Sequence, residues 1–457
     1  MNLITFFVTI AIIVICSAIN IYTNKPYKNI VLQNTFTTEQ LKDKEVKYVL
    51  NNFRKEIYLV TLLFMVLSLG LLFSVYDSIT FMLLFAFIFG FLGVEYYISV
   101  KYIGKMAEVK EARGWRTHEK EKVMIDTNIS VNKNRKLLSK NWVFLSVGLS
   151  FVGILLSFLM NGWGAQTGSI LFIGLLDDVL FVWLYLLVKR MPAKVYTSDR
   201  YLNQEVIAAT RKSWSSFLLW LFLSLGMLPI IIAVSEKLPP LISRMLIIFY
   251  PIFIIFAAGI SVYQLIHMRK KINTLLRGKE LYSYANEDDY WRYDVYINPN
   301  DPRVMIPTRQ GMNITVNFGN KKGQITMLVT MLLVLGLSFV VIVPMFFYDF
   351  ANNPFQISVS KEEVILKAPF AREQTIERKE IQSVTWTSSK LKQAEKINGL
   401  NSENYNQGLF SVEGKTSYVM LSLRNKNAVR IQTKEKMYYV NTKEEESTKK
   451  AYEALKK

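Results

Sequence analysis

Eight long apolar stretches alternate with polar segments along the chain, and each predicts a membrane-spanning helix. Each contains about 20 residues, the length a helix needs to cross the hydrocarbon core of a bilayer. Because no water is available there to satisfy backbone polar groups, such stretches must be helical. The sequence therefore predicts an α-helical integral membrane bundle with about eight spans, near residues 3–20, 57–76, 79–100, 142–161, 168–188, 214–235, 240–266 and 324–347.

The pattern changes after residue 354, where apolar residues alternate with polar ones. Such alternation predicts strands near residues 357–359, 364–366, 374–376, 381–384, 418–423, 428–431 and 437–440. The polar segment 444–455 then predicts a closing helix, with Ala451, Tyr452 and Leu455 on one face. A segment of about 100 residues is long enough to enclose its own core. Residues 354–457 are therefore predicted to form a small β-rich domain.

Basic residues concentrate in every second connection between the predicted spans. Segments 21–56, 101–141, 189–213 and 268–322 contain seven, eleven, six and ten Lys and Arg residues, respectively. Connections that are rich in basic residues remain in the cytoplasm. The pattern therefore predicts a multi-pass protein of the cell membrane with these four segments inside and both termini outside. The formal charge of +19 reflects this orientation, and no compact basic domain indicates nucleic-acid binding.

These patterns divide the chain into four predicted regions. Residues 1–266 form a seven-span membrane region with basic cytoplasmic loops, and residues 267–323 form a cytoplasmic loop with a hairpin. The eighth span covers residues 324–347, and the β-rich domain, predicted to be extracytoplasmic, covers residues 354–457.

The cytoplasmic loop contains a segment that predicts a rigid turn. Its sequence NPNDP at 298–302 combines Asn, Asp and Pro, which preset turn geometry. Residues 304–306 and 312–318 can pair as a hairpin around 308–311. A purely structural turn is one interpretation of the loop. The alternative is a ligand- or partner-binding lid that uses Asp301, Arg303 and Arg309.

Three acidic residues lie well inside predicted spans: Glu95, Asp177 and Asp178. A carboxylate at this depth is costly unless it is paired, hydrated or protonated. One hypothesis is a proton or cation site within the bundle. The other is a structural role, in which each carboxyl forms hydrogen bonds with a neighbouring helix.

No motif in the chain predicts catalysis or a cofactor. Phosphate-binding loops, serine-nucleophile elbows and zinc-protease motifs are all absent from the sequence. The single cysteine, Cys16, cannot form an intrachain disulfide, and the two histidines, His118 and His267, are far apart in sequence. We therefore expect no enzymatic activity, no cofactor and no metal site.

The C-terminal segment contains ISVSKEEVI at 357–365, EIQSV at 380–384, and a predicted strand followed by a helix over 439–455. With this pattern it resembles a bacterial pleckstrin-homology-like (PH-like) domain. The resemblance implies a PH-like fold for the β-rich domain.

A second resemblance concerns the cytoplasmic loop. WRYDVYINPNDPR at 291–303, RQG at 309–311 and NF at 317–318 are similar to a motif of uncharacterised Gram-positive membrane proteins. Residues 105–115 and 200–214 also resemble that group, which is related to the SdpI-type immunity proteins. The resemblance implies protection against a secreted toxin, or signalling.

Three functional hypotheses follow for a protein embedded in the lipid bilayer. The first is a non-enzymatic protein of the cell envelope that gives immunity to an antimicrobial peptide or signals its presence. Its partner would be an extracellular peptide or another membrane protein. The second is a proton- or cation-coupled secondary transporter that uses Glu95 or Asp177. The third is a scaffold subunit of a membrane complex.

Overall fold

The computed structural model describes residues 2–115, 131–163, 165–235, 238, 240–279, 281–282 and 287–456. His118 lies outside this part, as do residues 236, 237 and 239 of the connection before the seventh span. The helices in the described part are α1 Asn2–Thr23, α2 Lys44–Leu67, α3 Asp77–Ala112, α4 Lys140–Asn161, α5 Ala165–Arg190, α6 Arg200–Gly226, α7 Leu228–Ser235, α8 Pro240–Leu276, α9 Lys321–Phe350 and α10 Glu445–Lys456.

Eight helical segments in the described part are long and apolar enough to cross a membrane, which confirms the predicted bundle. They are Asn2–Thr23, Lys44–Phe73, Asp77–Ala112, Lys140–Met160, Ile170–Arg190, Arg200–Val234, Ile248–Leu276 and Lys321–Phe350.

The sixth of these segments is interrupted between α6 and α7. Pro229 lacks the N–H group that would continue the helical hydrogen bonds, so the interruption falls beside it. The same proline packs against α4, where a Cβ atom at Gly153 would lie 2.6 Å from the Cβ atom of Pro229. Glycine at position 153 therefore permits this close approach of two helices.

The chain divides into two compact units, and the divisions fall within α1, α2, α3 and α9. Unit 1 comprises Met1–Ile19, Lys55–Tyr97 and Leu328–Lys457, and unit 2 comprises Asn20–Arg54 and Ile98–Met327. Unit 1 therefore contains the β-rich domain, and unit 2 contains most of each basic segment.

Nine strands form the β-rich domain of unit 1. The strands are β5 Gln356–Val359, β6 Glu363–Lys367, β7 Gln374–Glu377, β8 Ile381–Ser388, β9 Ala394–Asn401, β10 Tyr405–Val412, β11 Lys415–Ser422, β12 Asn427–Thr433 and β13 Met437–Val440. A three-stranded sheet has the order β5-β6-β7, and a six-stranded sheet has the order β8-β12-β13-β11-β10-β9.

The two sheets of the domain and α10 share one apolar core. Leu366 of the small sheet packs in it with Met420 and Val440 of the large sheet and with Leu455 of α10. This arrangement confirms the predicted β-rich domain. It also contains two strands, β9 and β10, that the alternation pattern did not predict.

Two small hairpins lie among the basic segments of unit 2. In the first, β1 Ile30–Val31 pairs with β2 Asn34–Thr35, and in the second, β3 Met305–Pro307 pairs with β4 Ile314–Val316. Both pairs are antiparallel. These hairpins hold Gln33, Thr35 and Arg309, which contact one another at the candidate site.

Candidate functional site

The turn at 298–302 is stabilised by its own side chains. The Asp301 carboxylate accepts hydrogen bonds from the Arg303 Nε atom at 2.8 Å and from the Tyr296 hydroxyl at 3.1 Å. The buried Asn317 amide donates to the carbonyl oxygens of Asn298 and Asp301 at 2.8 Å and 2.9 Å. Asp301 and Arg303 are thus paired within the loop itself, as the structural interpretation of this turn requires.

Arg309, the third loop candidate, has different surroundings. Its side chain is only 4% exposed, and its Nη1 atom lies 2.7 Å from the Asp288 carboxylate. It also donates to the Gln33 carbonyl and, at 2.5 Å, to the Thr35 hydroxyl. Arg309 therefore links the fourth basic segment to the β1–β2 hairpin of the first.

The Asp288 carboxylate connects three of the four basic segments. It accepts from the Lys110 ammonium at 2.7 Å and from the Thr35 backbone N–H at 3.0 Å, in addition to its pairing with Arg309. Burial alone would raise the pKa of Asp288, but the positive charges of Arg309 and Lys110 outweigh it and lower that pKa to about 2. Asp288 is therefore ionised in the folded protein.

Glu287 contacts the third basic segment, residues 189–213, through Lys194. Its carboxylate lies 2.6 Å from the Lys194 ammonium and 3.9 Å from the Arg309 guanidinium. Burial opposes ionisation of Glu287, but the two positive charges lower its pKa below the ordinary value. Through Glu287 and Asp288, the fourth basic segment contacts each of the other three within unit 2, so all four lie on one side of any bilayer that the spans cross.

A cavity of about 210 Å³ lies beside this charge cluster in unit 2. Its lining is basic and aromatic, with apolar patches from residues such as Ile30 and Val206. Glu287 is the one acidic residue among the described lining residues. The basic residues of the lining are Lys28, Lys194, Arg211, Arg303 and Arg309, and the aromatic ones are Tyr27, Tyr196, Trp214, Trp291 and Tyr296.

Lys28 is held in this cavity by aromatic side chains. Its ammonium donates to the Tyr196 hydroxyl at 2.7 Å and lies 4.1 Å from the centre of the Tyr196 ring and 5.0 Å from that of Tyr27. Such cation–π contacts are attractive and hold the side chain against the two rings. Tyr27 itself packs against Gly311, whose φ is +74° and where a Cβ atom would lie 2.9 Å from the Tyr27 ring. Because glycine has no Cβ atom, it tolerates this positive φ and also leaves room for the Tyr27 ring.

Arg211 lies on α6 and is almost fully buried. Its guanidinium donates to the carbonyl oxygens of Val188 and Met191, at the end of α5. Carbonyl oxygens at a helix C-terminus lack partners within the helix, and a cation there is favourable. Arg211 therefore caps α5 and also places a positive charge at the cavity.

Asp294 provides a pH-dependent contribution to the stability of this region. Burial raises the pKa of Asp294 to about 6, although a hydrogen bond from the Gln33 amide, at 2.7 Å, opposes the rise. Between about pH 4 and pH 6, the carboxyl group is therefore protonated in the folded protein but ionised in the unfolded chain. Its contribution to stability is full below about pH 4 and is lost as the pH rises through about 6.

We expect Asp294→Asn to increase the free energy of unfolding by about 1–2 kcal/mol at neutral pH and to have little effect below about pH 4. The amide keeps an acceptor for Gln33, and asparagine tolerates the positive φ of 58° at this position. Unfolding of the purified protein across this pH range measures the effect, with the exposed Asp289→Asn as control. A loss of stability at neutral pH would contradict the argument.

The intramembrane candidates lie in different units. Glu95 is buried in the part of α3 that belongs to unit 1. Asp177 and Asp178 lie on α5 in unit 2, where each is partly buried and keeps one carboxylate oxygen without a described hydrogen-bond partner. Within the described ranges, no group of three His, Cys, Asp or Glu residues is placed to hold a metal ion.

In unit 1, the β-rich domain is joined to the ends of the helices by a group of polar contacts, here called the domain junction. The fully buried Asp349 carboxylate accepts from the Ser78 backbone N–H at 2.8 Å and lies 3.5 Å from the Arg424 guanidinium. Asn404 donates its backbone N–H to Asp77 at 3.3 Å. The domain is therefore bonded directly to the connection between the second and third spans.

Sequence reasoning did not identify Lys28, Lys194, Glu287 or Asp288. One available signal was the EDD sequence at 287–289, a run of three acidic residues within a segment that contains ten basic ones. Adjacent acids in such a segment indicate partners among the basic residues around them. The residues that would pair with them could not be read from the sequence, because they lie on other segments.

Comparisons with known proteins concern the C-terminal domain. Residues 355–455 match a family described as the bacterial PH domain. The matched range includes all nine strands and nearly all of α10, so the β-rich domain is PH-like. No curated protein and no solved structure matches the chain.

Proposed function

We propose that this chain is a non-enzymatic, multi-pass protein of the cell membrane that uses its PH-like domain for recognition outside the cell. The domain would meet an antimicrobial peptide or an envelope partner there. Its junction with the helices would relay the encounter, giving immunity or an envelope signal.

The observation that supports this proposal is the position of the domain on the connection between the second and third spans. The Asn404 amide and the Arg424 guanidinium donate to the Val75 carbonyl at 3.1 Å and 3.3 Å. That connection contains no Lys or Arg, and basic-poor short connections are typical of the extracytoplasmic side. A domain bonded to it lies on the same side.

The N-terminal end of α1 supports the same assignment. The Asn2 side-chain amide donates to the Ser74 carbonyl at 2.7 Å, so this helix end lies beside the same connection. The start of α1 and the end of α9, which lead to the two termini predicted to be extracytoplasmic, thus belong to unit 1 together with the PH-like domain.

The link between the domain and the last span is also short and bonded. The Lys443 ammonium donates to the carbonyl oxygens of Asp349 and Ala351, each at 2.8 Å, where α9 ends. Carbonyl oxygens at a helix C-terminus favour such a cation. A partner that displaces the domain would therefore act directly on the eighth span, which supports a relay.

The side of the domain can be tested by labelling single cysteines. Lys361→Cys, in a Cys16→Ala background, places a thiol at an exposed position of the domain, and Lys279→Cys places one at an exposed position of the fourth basic segment. A membrane-impermeant maleimide on intact cells is expected to label position 361 and to leave position 279 unlabelled.

Labelling of both positions after permeabilisation is the control for accessibility of the thiols. Labelling of position 279 but not 361 in intact cells would place the domain in the cytoplasm and overturn the proposal.

A further inference from the structure

We infer that the cavity of unit 2 binds a phosphate group, carried either by a lipid headgroup or by a small soluble molecule. The inference rests on the cavity lining and is independent of the function proposed for the PH-like domain.

The cations of the lining outnumber the carboxylates that neutralise them. Arg303 is paired with Asp301, while Arg309 and Lys194 share Asp288 and Glu287. Lys28 and Arg211 form no ion pair with any residue in the described part of the chain. Lys28 contacts aromatic groups, and Arg211 contacts backbone carbonyls.

Two unbalanced cations at one small cavity favour an anion. The Lys28 ammonium keeps donors beyond the one that the Tyr196 hydroxyl accepts, because a lysine has three. The Arg211 guanidinium gives one bond to each of two carbonyl oxygens and has five N–H groups. A phosphate group offers several acceptor oxygens and is the anion that such paired donors bind well.

The size and the remaining lining restrict the ligand. At about 210 Å³, the cavity is smaller than the roughly 300–1,000 Å³ typical of sites for drug-sized molecules. It can therefore hold a phosphate with a small polar substituent, but not a whole lipid. Trp214 and Trp291 and the apolar lining residues would contact the substituent or the start of an acyl chain. Basic pockets between spans can hold anionic lipid headgroups in this way.

The test uses the full chain in a neutral detergent and follows tryptophan fluorescence, since two tryptophans line the cavity. The probes are inorganic phosphate, glycerol 3-phosphate and short-chain phosphatidylglycerol, with short-chain phosphatidylcholine as the lipid of zero net charge. We expect saturable binding of phosphate-bearing anions that weakens as salt is added.

The test variant is Lys28→Met, and its matched control is Lys25→Met, a lysine of the same segment that is exposed and does not line the cavity. Lys28→Met is expected to weaken binding about tenfold, the loss of one charge-assisted contact. Lys25→Met is expected to leave the affinity unchanged.

The source of the phosphate follows from which probes bind. Saturation by phosphatidylglycerol but not by the soluble phosphates supports a lipid headgroup, and saturation by the soluble phosphates supports a small free ligand. Equal affinity in Lys28→Met and the wild type, or binding that does not depend on salt, would overturn the inference. Absence of binding by all of the anionic probes would also overturn it.

Discussion

Replacing Arg309 with methionine is expected to lower the free energy of unfolding by about 3–5 kcal/mol, the cost of breaking a buried ion pair from one side. The substitution removes the partner of Asp288 while this carboxylate stays largely buried and ionised. It also removes the hydrogen bonds that Arg309 donates to Gln33 and Thr35, and these bonds hold the β1–β2 hairpin in place. Lys110 remains as one partner of Asp288, so we expect the loss to fall toward the lower end of that range.

A matched control lies in the second basic segment. Arg113 also pairs with carboxylates, 3.2 Å from Glu45 and 3.6 Å from Asp43, but its side chain is 45% exposed, whereas that of Arg309 is 4% exposed. Exposed ion pairs contribute roughly 0–1 kcal/mol, so Arg113→Met is expected to change stability little. Thermal or denaturant unfolding of both variants in detergent compares them. Equal losses would show that burial does not distinguish the two arginines.

Opening the domain junction is expected to abolish the relay proposed for the PH-like domain. Asp349→Ala leaves the Ser78 backbone N–H without its acceptor and the Arg424 guanidinium without its carboxylate partner. A buried donor left unpaired costs about 1–3 kcal/mol. We expect faster proteolytic cleavage near residues 351–354, and peptide sensitivity equal to that of a strain whose protein lacks residues 354–457.

The control for the junction variant is Glu373→Ala, which removes a half-exposed ion pair with Lys367 within the domain. This variant is expected to keep wild-type resistance to cleavage and wild-type peptide sensitivity. If deleting the whole gene leaves sensitivity to antimicrobial peptides unchanged, the immunity function is wrong. If Asp349→Ala loosens the domain but keeps protection, recognition does not need the junction.

The strand pattern of the PH-like domain shows what local sequence can reveal. Strand β13 was predicted at its observed bounds because its residues, MYYV at 437–440, favour strands and are flanked by polar residues typical of turns. Strands β9 and β10 were missed because Asn, Gln, Gly and Lys interrupt their apolar alternation. Pairing with each other and with β11, and not their composition, makes these two segments strands.

The loop of residues 267–323 shows the same distinction at the level of side chains. The turn at 298–302 could be predicted from the sequence, because Asn, Asp and Pro set the backbone geometry of their immediate neighbours. Trp291 and Tyr296 suit a membrane interface by composition, but the structure buries both in a small core with Ile306. That outcome depends on the β3–β4 hairpin that folds over them.

The sequence by itself determined the number of spans, the clustering of charge in alternate connections and the existence of a β-rich C-terminal domain. These properties arise from hydropathy, charge and periodicity, which act over one helix or one hairpin. Only the tertiary structure decided that Arg309 pairs with Asp288, that Lys28 and Arg211 meet at one cavity, and that Asp349 bonds to Ser78. Each of these contacts joins residues distant in the chain, and its strength comes from burial, which no local pattern records.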